Sequence, residues 1–170
     1  MKWELLLVEV FCSLQICSAQ SKPSYARLEA EYYVAAYSQH YHVPVALVRA
    51  IIKRESNWQT CAVSPKGAAG LMQLMPTTAN RFRVQDRCNL NENVSGGVRY
   101  LAWLMQQFRN DLRLVVAAYY AGEGVIGRRG LDYHNRAVVA YVSAVRTDYL
   151  RDDGFDEERN NTASEKRDVR

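Results

Sequence analysis

The sequence predicts a mainly α-helical domain, and three observations carry that expectation. Apolar side chains recur at three- and four-residue spacing in several stretches, cap-forming residues stand at the ends of those stretches, and none of them alternates in the manner of a half-buried strand. No internal repeat is visible. At 170 residues, 48% hydrophobic and 24% charged, the chain is long enough for one domain with a real core and short for two.

The elements follow in order. Ser24 caps a first helix running through Leu28, Tyr32, Ala35 and Ala36 to about Tyr41. Pro44, tolerated in a first helical turn, opens a second helix over residues 43–56. Its apolar stripe is Leu47, Val48, Ile51 and Ile52, with Lys53 and Arg54 on the solvent side. Asn57, Cys61, Ser64-Pro65-Lys66-Gly67 and Gly70 mark a loop. Thr77 or Thr78 starts a short helix over Ala79 to Phe82. Asn91 or Asn93 caps a longer one carrying Val94, Val98, Leu101, Leu104 and Met105. Asp111 caps Leu112 to Ala121, which Gly122 and Gly124 end. A last helix runs from Arg136 to about Leu150 and carries Val138, Val139, Tyr141, Val142 and Val145. Residues 151–170 are charged, nearly devoid of large apolar groups, and expected to be disordered.

The N-terminus reads as a secretory signal. Lys2 precedes Leu5-Leu6-Leu7-Val8 and Val10-Phe11-Cys12, with small residues at Ser18-Ala19 for a cleavage after residue 19. Glu4 and Glu9 are unusual in such a stretch, and a buried N-terminal helix or a misplaced start codon are the competing readings. The stretch is too short and interrupted to span a bilayer. Removal of residues 1–19 leaves a body of 20–150, two cysteines, and an exported chain, periplasmic or secreted. Cys61 and Cys88 then read as a disulfide rather than two free buried thiols. On the chain-entropy account such a bridge stabilises by roughly 3–4 kcal/mol.

Charge and composition exclude several classes. Residues 20–150 hold sixteen Lys and Arg against nine Asp and Glu, so the body is basic and suits an anionic polymer. No dense Lys/Arg run or aromatic-basic signature accompanies that charge, and nucleic acid is not the expected partner. His40, His42 and His134 are the histidines, and they are read as surface or core residues rather than metal ligands. No phosphate loop or nucleotide fingerprint is present, so no metal or cofactor is expected. Eleven tyrosines against four phenylalanines suit sugar-binding grooves and ordinary helix packing alike, and most are assigned to packing.

Glu55 is the candidate for chemistry. Its own helix places apolar residues three, four, seven and eight positions before it. A carboxyl at the end of an apolar stripe loses water, which favours the neutral form and suits a proton donor near neutral pH. The helix alone equally allows a solvated last-turn glutamate. Further on, Gly67 and Gly70 allow a turn that brings backbone close to a substrate. Gln73 is one amide within Leu71-Met72-Gln73-Leu74-Met75, and it either bonds backbone or reads a ligand amide.

Four ordered blocks turn this into a resemblance. They are Glu55-Ser56 with Ala62-Val63-Ser64-Pro65-Lys66-Gly67; Gly70-Leu71-Met72-Gln73-Leu74-Met75-Pro76; Asn93-Val94-Ser95-Gly96-Gly97-Val98-Arg99-Tyr100-Leu101; and Ala118-Tyr119-Tyr120-Ala121-Gly122-Glu123-Gly124. With Tyr141-Val142 they resemble the signature of the soluble lytic transglycosylases, glycoside hydrolase family 23, over about residues 40–146. The resemblance implies a lysozyme-like helical domain with a substrate cleft. It implies Glu55 as catalytic acid, Gln73 on the N-acetyl sugar, Ser64 beside the scissile bond and Tyr119 near the acid. Gly70, Leu71, Met72, Tyr120 and Tyr141 join them as expected substrate-binding positions.

The same resemblance implies that one carboxyl suffices. Most glycosidases pair two. Here Glu55 would protonate the bond between N-acetylmuramic acid and N-acetylglucosamine, and its conjugate base would deprotonate the muramic C6 hydroxyl, closing a 1,6-anhydro product. Asp86 reads as a turn residue, Glu123 as a loop cap that can also reach the cleft, and Asp132 as the third candidate. The chain departs from the family pattern at Tyr120, where Asn is commonest, and at Ala137-Val138, where Glu-Thr is frequent. A hydrolytic muramidase and a non-catalytic wall-binding module are the alternatives. Peptidoglycan strands are the expected partner of a monomer, with a secretion, pilus or conjugation machine suggested by analogy alone.

Overall fold

A computed structural model describes residues 24–132 and 135–165, with side chains to residue 152 apart from Leu131. The expected signal segment and His134 lie outside the described residues. Seven α-helices follow in order: α1 (Tyr25–Tyr41), α2 (Val45–Glu55), α3 (Pro76–Arg81), α4 (Leu90–Gln107), α5 (Leu112–Ala121), α6 (Glu123–Arg129) and α7 (Arg136–Glu165). A 3-10 turn, Gly130–Asp132, follows α6. No strand occurs among the described residues; the mainly helical expectation holds.

The core forms where apolar stripes meet. Leu47, Val48, Ile51 and Ile52 of α2 pack with Ala30 and Val34 of α1, Val94, Val98, Leu101 and Leu104 of α4, and Val115 and Ala118 of α5. Val138 and Val145 bring in α7. The loop between α2 and α3 contributes Leu71 and Met72, both fully buried. Each such side chain stabilises by roughly 1.5–3 kcal/mol relative to exposure, so this loop belongs to the core.

Several boundaries differ from the expectations, each for a local reason. Asn89, not Asn91 or Asn93, caps α4, its side chain accepting from the Glu92 N–H at 3.0 Å. α3 starts at Pro76, whose missing N–H costs nothing at a first helical position, rather than at a threonine. Helix α6 was not expected: Gly122 ends α5 with φ +89 and at once serves as the N-cap of α6, and Gly124 and Gly127 lie within that helix. Residues 151–165 continue α7, where disorder was expected. Extending an existing helix needs no new nucleus, and no proline stops it.

Candidate active site

Glu55 is the last residue of α2, and the chain leaves it abruptly through Asn57 and Trp58, both with positive φ. Its side chain is half-buried. From α7 the Tyr141 hydroxyl donates to Glu55 Oε1. Tyr119 of α5 lies close enough for the carboxylate to raise the phenol's proton affinity. Burial pushes the Glu55 carboxyl up to about 7, against the opposing pull of the Tyr141 hydrogen bond. The solvated last-turn alternative is thereby set aside. Burial, then the Glu55 charge, hold both phenols well above the usual range, so both stay neutral donors, Tyr141 toward Glu55 and Tyr119 toward the Met72 carbonyl.

Among the described residues no second carboxylate contributes to the shift at Glu55. Glu123, at the start of α6, pairs with Arg81 at 2.9 Å and accepts from the Tyr100 hydroxyl at 3.0 Å. Arg81 in turn lies over the Trp103 ring. Asp86 accepts the Cys88 N–H at 2.8 Å, the turn role expected of it. Asp132 is exposed.

The loop of residues 62–74 forms one side of the site. It is closed by backbone bonds from Ser64 N to Ala68 O, Gly70 N to Ala62 O and Leu74 N to Ala69 O, all 2.8–2.9 Å. The Ser64 hydroxyl accepts the Ala68 N–H at 3.0 Å and is half-buried. Gln73 adopts φ +47, and its amide nitrogen donates to Ala62 O at 2.7 Å and Gly70 O at 2.9 Å. Because both partners are carbonyls, the nitrogen is the end that faces them. The amide oxygen has no hydrogen-bond partner among the described residues, and it is the acceptor this loop can offer a ligand.

Three expected substrate contacts need correction. Leu71 and Met72 are core side chains, Met72 fitting against Gly97 of α4, and both are too buried to present side-chain surface to a ligand. Gly70 does permit a close approach, but to the protein: a Cβ there would sit 2.0 Å from the Arg87 carbonyl and 2.1 Å from Asn93 Nδ2. Met72's own backbone is also engaged, its N–H by Asn93 Oδ1 at 2.7 Å and its carbonyl by the Tyr119 hydroxyl at 2.7 Å.

Asn93 is the residue whose role sequence reasoning missed. Fully buried, it accepts from Met72 and donates to Ala69 O at 3.1 Å and Arg87 O at 2.8 Å, fixing the loop to α4. The signal was available: Gly96 and Gly97 lie three and four positions later, on the same helix face. A Cβ on Gly97 would strike Met72 Sδ at 2.3 Å, and one on Gly96 would strike Val84 at 2.2 Å. Arg87 adds bonds to Gly67 O at 2.6 Å and Leu74 O at 3.1 Å, with no sequence signal to announce it. The expected Cys61–Cys88 disulfide is formed, with Cα atoms 4.6 Å apart.

Tyr120 stands on the other side of the site. Its ring stacks on Tyr141 at 4.5 Å and 25°, and it stays 48% exposed. Tyr141 thus meets Glu55 through its hydroxyl and Tyr120 through its face.

Comparison with known proteins agrees with this architecture. Residues 32–141 match the family model described as the transglycosylase SLT domain. Among curated relatives, the membrane-bound lytic murein transglycosylase F of Pasteurella multocida is 37% identical over 84 residues, covering 46% of this chain and 17% of that protein. The soluble lytic murein transglycosylase of Escherichia coli K12 is 35% identical over 98 residues, covering 52% and 15%. The structure of the 70 kDa soluble lytic transglycosylase from Escherichia coli superposes with a TM-score of 0.60 at 27% identity, over 69% of this chain and 23% of that one. An inactive mutant of lytic transglycosylase Slt from Pseudomonas aeruginosa gives 0.62 at 24% identity, over the same shares. The chain spans less than a fifth of the length of these curated relatives. With Glu55, the loop and the tyrosines all inside the matched region, the chain belongs to the SLT transglycosylase domain family.

Proposed function

We propose that this chain is a peptidoglycan lytic transglycosylase, with residues 20–150 as its catalytic domain. It cleaves the β-1,4 bond between N-acetylmuramic acid and N-acetylglucosamine. The observation that carries the reading is a half-buried carboxyl, Glu55, met by the Tyr141 hydroxyl and kept protonated up to about pH 7 by burial, with no second carboxylate among the described residues contributing to that shift.

In this reading protonated Glu55 gives its proton to the glycosidic oxygen as the C1–O bond breaks. The muramic C6 hydroxyl then closes on C1 and returns a proton to Glu55, leaving a 1,6-anhydro ring and a regenerated acid. No water is consumed. The attacking hydroxyl belongs to the same sugar, so its encounter is intramolecular. Tyr141 orients the carboxyl, and the Gln73 amide oxygen accepts from the substrate's acetamido N–H. Ser64 lies in the same loop and Tyr120 offers its ring to a sugar face. The formed disulfide supports an oxidising compartment outside the cytosol, where the wall lies.

Incubation with purified sacculi tests the reading. Wild type releases anhydro-muropeptides by mass spectrometry, and Glu55→Gln lowers their release by about 10²–10⁴-fold. Reducing ends instead would mark a hydrolytic muramidase. Retention on sacculi without products would mark a binding module. A Glu55→Gln protein as active as wild type would remove Glu55 from the chemistry.

A further inference from the structure

Among the described residues one charged side chain is buried, and it is not among those that meet Glu55. Asp148 of α7 is 5% exposed. Lys53 Nζ donates to its Oδ1 at 2.7 Å, Arg54 pairs with its Oδ2, and Arg151 stands 3.9 Å away. Burial pushes the Asp148 carboxyl up, but the Lys53 and Arg54 contacts outweigh it and hold it below the usual range. A second set of pairs lies alongside: Glu31 of α1 to Arg49 of α2 at 2.8 Å, and Arg49 to Asp152 of α7 at 3.3 Å.

The placement of these groups along the helices matters. Lys53 and Arg54 immediately precede Glu55 on α2. Tyr141 and Asp148 are seven residues apart on α7, two turns or roughly 10 Å along one face. Val145 lies between them and is buried in the core. Apolar packing alone tolerates sliding and rotation, whereas a buried carboxylate strands its charge unless it meets its partners. The ion pair at one end of this face therefore fixes what the hydroxyl at the other end can reach.

We propose that Asp148 is a positioning residue: docked on Lys53 and Arg54, it sets the register of α7 against α2 and so holds the Tyr141 hydroxyl on Glu55. The inference rests on the reading of Glu55 as the proton donor. Glu55 is faced by Tyr141 from α7 and Tyr119 from α5, with Tyr120 stacked behind Tyr141. Asp148 is faced by Lys53 and Arg54 from α2 and by Arg151 from its own helix.

The sign of the effect separates positioning from plain electrostatics. Losing the Tyr141 hydrogen bond favours the protonated acid, so Glu55 titrates at higher pH. Removing the Asp148 charge and freeing two cations favours the carboxylate, so a direct effect lowers the midpoint. The experiment follows the Glu55 titration by carbon NMR of carboxyl-labelled protein, beside the pH–rate profile on sacculi. The variants are Asp148→Asn, Tyr141→Phe, their double, and Asp148→Glu. Asp148→Asn raises the midpoint by roughly half to one pH unit, about what one hydrogen bond is worth, and Tyr141→Phe does the same. The double moves no further than Tyr141→Phe, because the two act through one contact. Asp148→Glu, which keeps the charge, recovers most of the wild-type midpoint, and kcat falls with KM little changed in Asp148→Asn. A lowered midpoint, or an unmoved one with a reduced Tm, overturns the proposal. Where Asp148→Asn does not fold, Asp148→Ser is read in the same way. A wild type that releases no anhydro product sinks the proposed activity, while the titration still decides the role of Asp148.

Discussion

The two flanks of Glu55 are secured to very different degrees. In the loop of residues 62–74, Asn93, Arg87, the Gln73 amide nitrogen and the Tyr119 hydroxyl engage backbone groups from several directions, and a disulfide joins its base to the turn before α4. On the opposite flank, Tyr141 has its hydroxyl on Glu55 and its ring on Tyr120, and half of Tyr120 faces solvent. Much of the motif in the loop therefore maintains shape, leaving few atoms free for a ligand. The tyrosine flank offers open ring surface, where a change costs the fold little. The departure from the family pattern at Tyr120 falls on that permissive flank.

Substitutions can break this contrast, and the largest effect belongs to the loop. Gly70→Ala places a Cβ against the Arg87 carbonyl at a positive φ, and we expect about 3–5 kcal/mol of destabilisation in urea unfolding. Asn93→Leu strands the Met72 N–H and the Arg87 carbonyl and removes a second bond to the Ala69 carbonyl; a loss of about 3 kcal/mol is expected, with activity falling alongside. A variant of near wild-type midpoint at either position would show that the loop is not held as described.

The acid itself gives an intermediate effect of opposite sign. Folded Glu55 keeps its proton up to about pH 7, while the unfolded chain releases it near pH 4. Between these values the native state binds more protons, so stability falls as pH rises through that window. Glu55→Gln carries no such penalty, and its Tm should exceed wild type at pH 8, by at most about 3 kcal/mol of stability, and match it at pH 4. Equal curves at both pH values would contradict the raised proton affinity.

Tyr120→Ala should do least to the fold. Loss of the ring pair costs about 0.5–1.5 kcal/mol, and KM on sacculi should rise roughly three- to tenfold with kcat nearly kept. A fall in stability as large as that of Asn93→Leu would erase the distinction between the flanks.

What the sequence made legible tracks local physics. The apolar stripe of α2, the caps at Ser24 and Asp111 and the stop at Gly122 are short-range signals, and each helix they announce is present. The desolvation of Glu55 was expected from the apolar residues that precede it on α2, whereas Tyr141 and Tyr119 reach it from distant helices. Helix α6 was not, since Gly122 ends one helix and caps the next, and adjacent glycines read only as breakers. The inward turn of Met72 depends on Gly97 far along the chain on α4, which a local pattern does not couple. The grip of Asn93 is equally non-local. No local pattern marks Asp148, whose partners Lys53 and Arg54 lie on α2.

The placement of Glu55 as the final residue of α2 has a further electrostatic consequence. The carbonyl end of a helix carries the equivalent of about half a negative charge, which resists ionisation of a carboxyl placed there. At the opposite terminus the same side chain would be drawn toward its anion. The backbone axis thus works with burial, and against the Tyr141 hydrogen bond, to keep the proton on Glu55 even though its side chain is only half-buried.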